Sequence, residues 1–167
     1  MASTHRRKQL ALDTNILFDL AAELDAAHDF RETFQKAGYS LRIPPTAVQE
    51  LAWAMEHAAT SQKRQQARRA LENLLRWDIT PFDLQAVGHG ITAECAKRLI
   101  RDQLLPDTEY NDGLILAETS LAEIPMLVTS DKHLLDMDEA ALGLVLDDCD
   151  LFHVRPCHPK LLLRAIR

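Results

Sequence analysis

Apolar positions along this chain follow two alternating rhythms: short unbroken runs, and longer stretches spaced by three and four residues. Residues 9 to 13, ending Leu10-Ala11-Leu12-Asp13, read as a short buried strand. They run into a helix with Ile16, Leu17, Leu20, Ala21 and Leu24 on one side. A second helix covers His28 to Lys36 and stops at Gly38, and Tyr39 to Ile43 reads as a strand that Pro44-Pro45 ends. Thr46 with Gln49 forms a capping-box pattern for a helix to about Ala59, with Val48, Leu51, Ala52 and Met55 inward. Residues 62 to 76 are the clearest amphipathic helix: Ala67, Ala70, Leu71, Leu74 and Leu75 face in, and Lys63, Arg64, Arg68, Arg69 and Arg76 face out.

The second half repeats the alternation. Asp78 to Phe82 reads as a short strand weakened by Pro81, and a helix from Ile91 to Leu105 stops at Pro106 after a Gly88-His89-Gly90 loop. Asp112 opens a helix to about Glu123, Pro125 breaks it, and Met126 to Thr129 is a strand. A short helix, strands at Leu144 to Leu146 and Phe152 to Arg155, and a closing segment 156–167, helical from Lys160, complete the chain. Strands alternating with helices and no hairpin signal predict a three-layer α/β/α sandwich around a central, mostly parallel sheet. The chain reads as a single domain over 1–167, with residues 1–8 disordered or partly ordered.

Composition narrows the function classes. The 167 residues are 47% apolar and 26% charged, an ordinary globular balance, and five Gly and seven Pro leave no room for a long linker. No apolar run is long enough to span a bilayer, and the first residues carry no signal-peptide pattern, so a cytoplasmic protein without membrane association is expected. Three cysteines make no disulfide framework. A net charge of −6 disfavours nucleic-acid binding over the whole surface. It leaves room for an enzyme whose acids are neutralised by metal ions and whose substrate rests on a local basic patch.

Candidate chemistry lies in four segments, each with a carboxylate that a small apolar core has little reason to keep: LALDTN, VQELAW, NDGLILAE and LVTSD. Their acids are Asp13, Glu50, Asp112 and Asp131. Each taken singly is more often a helix cap or a surface acid. Asp13 fits that account worst, because it closes an apolar run. In an α/β fold, sites form at the carboxyl ends of the strands, where Asp13 and Asp131 stand; Asp112 sits in a first helical turn and Glu50 one turn inside its helix. Crowded carboxylates are costly unless a hard cation sits among them, and such a cluster suits metal-dependent phosphodiester hydrolysis.

These residues resemble the motifs of the PIN-domain nucleases, the family that includes the toxins of many bacterial toxin–antitoxin pairs. LDTNILF resembles the opening strand and helix, with Asp13 as first metal-binding acid and Asn15 helping to position it. VQELAW places Glu50 second, NDGLILAETS places Asp112 third, and LVTSDKHL places Asp131 fourth, with Thr129 or Ser130 as a hydroxyl neighbour. The likeness runs from residue 9 to about 155, and the tail resembles the family's last strand and closing helix. It implies an endoribonuclease using Mg²⁺ or Mn²⁺ held by Asp13, Glu50, Asp112 and Asp131, with Asn15 and Thr129 orienting ligands or water. It also implies an RNA substrate, single-stranded or structured. In the toxin version an antitoxin protein would insert an acidic or aromatic segment near the site.

Alternatives stay open at this point: a free-standing RNA-processing nuclease, or a catalytically weak nucleic-acid- or protein-binding module. Receiver domains and haloacid-type phosphatases fit less well, since Asp13-Thr14-Asn15 is not Asp-x-Asp and no paired acids follow the first strand. Cys149, His153, Cys157 and His158 invite a zinc reading, but they lack a C-x₂₋₄-C knuckle, so thiols buried in or beside late strands are simpler. His133 lies close enough to Asp131 to approach a phosphate. Trp53 and Trp77 read as packing anchors, one of them at a subunit contact in a homodimer. The basic face of residues 63 to 76 is a solvated surface or a path for RNA phosphates.

Overall fold

Five strands, β1 (Gln9–Leu12), β2 (Ser40–Ile43), β3 (Ile79–Pro81), β4 (Met126–Val128) and β5 (Arg155–Cys157), form one sheet in the order β3-β2-β1-β4-β5. Every pairing is parallel, with Leu10 beside Leu41 and Leu12 beside Val128. A computed structural model supplies this description for residues 8–167, so the disorder expected of residues 1–8 falls almost wholly outside the described residues. β1 is central and its Leu10-Ala11-Leu12 is fully buried, as expected of a strand covered on both faces.

Nine α-helices flank the sheet among the described residues, eight between strands and one after β5: α1 (Thr14–Ala21), α2 (Asp25–Lys36), α3 (Pro45–His57), α4 (Ser61–Asn73), α5 (Ala86–Arg101), α6 (Tyr110–Leu121), α7 (Lys132–Leu135), α8 (Glu139–Asp148) and α9 (Pro159–Ile166). The chain steps from β1 to β2 and β3 on one side, then crosses back to β4 and β5 on the other. With right-handed crossovers this reversal puts α1, α2 and α4 on one face and α5, α6 and α8 on the opposite face. The packing agrees: α1 touches α2 and α4, α9 touches α2, and α5 packs on α6 and α8. α3 touches α1, α4 and α6 and so spans both layers. α6 packs tightly on α5 at Gly113, where a Cβ would stand 3.1 Å from Ala96 Cβ and 3.2 Å from Ala96 Cα.

Several sequence expectations are corrected. Leu144 to Leu146 is helical, not a strand: Leu142, Val145 and Leu146 are the buried positions of α8, and Asp138 caps it through Ala141 N at 2.8 Å. Spacing over the longer window outweighs the β-forming look of three residues. Gly88-His89-Gly90 lies inside α5 rather than in a loop, because α5 begins at Ala86 and ends at Arg101, before Leu105. Gly88 lets α5 sit close to α6 there, since a Cβ would come within 2.9 Å of Leu121 Cδ2 and the leucine would have to move aside. Thr46 forms no capping box; Pro45 opens α3 at its first position and frees the threonine for another bond. α4 stops at Asn73, so Leu75 is 92% exposed instead of inward, and the last strand is 155–157 rather than 152–155. Trp77 is buried, whereas Trp53 is 62% exposed.

Candidate active site

The strand order reverses beside β1, between β2 and β4, and ligands of open α/β sheets bind outside the carboxyl ends at such a point. Asp13 follows β1 directly. Its backbone N–H donates to Val128 O at 2.9 Å, so the first residue past the strand is still tied to β4. Its side chain, 2% exposed, caps α1 by accepting from Thr14 N at 2.7 Å. The other carboxylate oxygen accepts from Thr129 Oγ1 at 2.7 Å and from Asn15 Nδ2 at 2.9 Å. Both oxygens are therefore fixed by donors, as a buried carboxylate requires.

Those donors form one connected set. Asn15 Oδ1 accepts from Ser130 N at 3.2 Å, and Thr129 Oγ1 accepts from Asp131 N at 3.0 Å. Thr129 thus holds Asp13 with its hydrogen and the Asp131 backbone with its lone pair. Asp131 caps α7 through His133 N at 2.7 Å. Glu50, on α3, accepts from Thr14 Oγ1 at 2.9 Å, which links the second acid to the residue after the first.

Asp112 lies in the first turn of α6, three residues past its N-cap, Glu109. Its Oδ2 is buried and has no hydrogen-bond partner among the described residues. Burial, followed by the charge of Asp13, a proton-sharing contact with the Glu109 carboxyl and the charges of Asp131 and Glu109, pushes its pKa up to about 9. Asp13 is also raised, mainly by burial and partly by Asp131, against the lowering effect of its hydrogen bonds. Glu50 is raised by burial and by Asp13, Glu109 and Glu118. Asp13, Glu50 and Asp112 therefore each carry the field of at least one other acid.

Carboxylate oxygens of Glu109, Asp112 and Asp131 lie within 4.8 Å of one another. Glu109 was not singled out from the sequence. It sits in a single 3₁₀ turn, Asp107–Glu109, three residues before Asp112, and an acid at that spacing just ahead of an acidic helix start is the signal that could have found it. His133 Nε2 stands 3.9 Å from Glu109 Oε1, so this imidazole does border the cluster. An all-oxygen donor set with one buried, unpartnered carboxylate oxygen fits a hard divalent cation rather than zinc.

Glu118, one face further along α6, has a different task. It accepts from Thr46 N at 3.0 Å and Thr46 Oγ1 at 2.7 Å, clamping α3 onto α6 so that Glu50 and Asp112 keep their places. The late cysteine and histidine residues do not converge. Cys149 ends α8 instead of lying by a strand, His153 pairs with Asp147 at 2.7 Å, and His158 caps α9 through Lys160 N.

Beside the acids lies a groove of about 690 Å³, lined by Thr14, Glu50 and Asn111 together with Phe18, Trp53, Ala54 and Lys63. The Lys63 ammonium lies over the Phe18 ring, 5.3 Å from its centre.

The PIN domain family model matches residues 10–140. No relative was found among curated proteins. Solved structures share the fold. The VapBC2 structure from Rickettsia felis, bound to a DNA fragment from its promoter, has a TM-score of 0.61 at 18% identity, covering 90% of this chain and 98% of that one. FitAcB from Neisseria gonorrhoeae gives 0.55 at 16%, covering 90% and 98%. FitAB bound to an IR36 DNA fragment gives 0.53 at 15%, covering 90% and 94%.

Proposed function

Because the chain belongs to the PIN-domain family, we propose that it is a metal-dependent endoribonuclease, hydrolysing phosphodiester bonds in single-stranded or structured RNA. The observation that carries this reading is Asp112 Oδ2, a buried carboxylate oxygen without a partner, among the like charges of Asp13, Glu109 and Asp131. A cluster so arranged is stable in its ionised form only with a cation in it.

Asp13, Glu50, Asp112 and Asp131 would hold Mg²⁺ or Mn²⁺, joined by Glu109. When bound, the cation supplies charge for the phosphoryl oxygens and a water of lowered pKa. The chain's own residues do the rest. Thr129 and Asn15 hold the Asp13 carboxylate in one orientation, so it need not reorganise when substrate arrives. Thr14 fixes one oxygen of Glu50 and leaves the other to accept a hydrogen bond from water or a substrate hydroxyl. The Glu118–Thr46 clamp keeps α3 from moving away from α6.

The likeness to VapBC2 and FitAB, solved on DNA, supports a toxin role with an antitoxin partner. The apolar groove past Glu50 is the surface that an antitoxin segment would cover. No described helix is long and apolar enough to cross a membrane.

The deciding experiment is cleavage of a labelled RNA by purified protein with Mn²⁺, with EDTA, and with Asp112→Asn. Cutting that needs the ion and falls about 10² or more in the variant is expected. Activity that persists in EDTA, or undiminished in Asp112→Asn, would refute the assignment.

A further inference from the structure

α1 and α4 run side by side away from the acids: Lys63 meets Phe18 near the groove, and two turns further on Arg69 Nη1 donates to Ala21 O at 2.9 Å. Past that contact lies a second pocket, about 720 Å³, walled by α2 and α4 and floored by Trp77. Four arginines line it, Arg31, Arg68, Arg69 and Arg76, against two acids, Glu23 and Glu72. Such a concentration of guanidinium groups stands out in a chain of net charge −6.

The pocket is built rather than a chance of exposed side chains. Arg31, from α2, is only 16% exposed. Its guanidinium is held by Gln35 Oε1 at 3.1 Å, by His28 Nδ1 at 3.4 Å and by an ion pair with Glu32 Oε1 at 3.3 Å, and His28 is itself fixed by Leu20 O at 3.1 Å. His28 also packs its edge against Trp77, and Gln35 donates to Trp77 O at 2.7 Å. Arg31 Nε is buried and has no partner among the described residues. Arg69 is tied at one nitrogen and faces Glu23 at 3.9 Å, while Arg68 and Arg76 have no ion-pair partner among the described residues. Four guanidinium groups around one pocket, two of them without an ion-pair partner among the described residues, suit an oxyanion with several acceptor oxygens, and phosphate above others.

We infer that this arginine pocket binds a backbone phosphate of the RNA strand whose scissile bond lies at the acids. The inference rests on the nuclease reading for the identity of the strand, although its test requires no cleavage. α1 has eight residues, so its far end, where the pocket begins, lies roughly 12 Å from Asp13 along the helix axis. The strand would pass Lys63 on the way. Of the basic residues expected to face out on α4, Arg64 takes no part, because its Nη1 is bound to Ala58 O at 2.6 Å.

The test is fluorescence anisotropy of a labelled single-stranded oligoribonucleotide with full-length protein in EDTA, over a salt series, for wild type and Arg68→Gln/Arg76→Gln. Both arginines are exposed, and melting curves check that the variant is folded. Weaker binding by about tenfold at low salt, with a log–log salt slope shallower by about 1.4, is expected for two lost phosphate contacts on a single strand. Coincident curves would overturn the proposal. So would inorganic phosphate binding that is lost in the variant while the RNA curves coincide, which would make this a small-anion pocket. An oligoglutamate of equal charge competing as well as RNA would overturn the phosphate assignment. Absence of metal-dependent cleavage in the separate activity assay would refute the nuclease reading and leave this binding result standing.

Discussion

Thr129 Oγ1 donates its hydrogen to Asp13 Oδ2 at 2.7 Å and accepts from Asp131 N at 3.0 Å. One side chain at the end of β4 thus sets the direction of the first acid and the backbone of the fourth. Thr129→Val keeps the shape and removes both bonds, leaving Asp13 short of a donor in a buried site. We expect a loss of stability of about 1–3 kcal/mol and a fall in cleavage of at least about tenfold. Thr129→Ser should recover most of both. Chemical denaturation and single-turnover cleavage of the two variants check this, and equal activity in Val and Ser would remove Thr129 from the orienting role.

Metal-free protein should become less stable as pH rises. Asp112 has a pKa of about 9 in the folded chain against an ordinary 3.8, so between these values the folded state binds more protons than the unfolded one. Stability then falls with increasing pH across that window, because unfolding releases a proton. In EDTA the melting temperature at pH 5 should exceed that at pH 8 by about 4 °C or more. Asp112→Asn should flatten the profile, and added Mn²⁺ should restore the wild type at pH 8. A wild-type profile parallel to that of the variant would mean that Asp112 ionises freely.

Glu109 separates ion binding from the four-acid pattern. Its carboxylate lies within 4.8 Å of Asp112 and Asp131, so Glu109→Gln should weaken Mn²⁺ binding by about 10-fold, within the usual range for a lost orienting group. It should also lower the pKa of Asp112, since one neighbouring negative charge is gone. Calorimetric titration with Mn²⁺ measures the first effect. Unchanged affinity would confine the site to the acids expected from sequence.

Gly113 tests whether helix spacing governs the site. A Cβ there would press on Ala96 at 3.1 Å, backbone included, so Gly113→Val should destabilise the protein by about 1–3 kcal/mol. It should also displace Asp112, its neighbour, and lower activity beyond what the loss of folded protein explains. Cleavage rates normalised to folded protein would show this, and a normal rate would mean that α6 tolerates the shift.

Much of this arrangement was legible in the sequence, for local reasons. Asp13 closes an apolar run, and such an acid must be held by something; Asp112 and Asp131 stand at helix starts where carboxylates are at home. What escaped was decided elsewhere in the chain. Glu109 lies in a turn with no periodicity, and only the fold puts it against Asp131. Thr46 looked like a cap, yet its hydroxyl goes to Glu118, 72 residues away. Arg31 is one charge among many on α2 until α4 and the turn after it bring three more arginines beside it. Strand errors near residues 144 and 152 arose because three-residue apolar stretches fit either rhythm.

β1 is made first and completed late. Its neighbour β4 and the donor Thr129 come more than a hundred residues after Asp13, so a chain still emerging from the ribosome carries the first acid without its orienting partner or its fourth companion. Until residues 126–131 are free to pair with β1, the growing polypeptide has no assembled acid cluster. If the protein cuts RNA, the machinery that synthesises it is spared by chain order alone: the blade closes only after most of the product has left the tunnel.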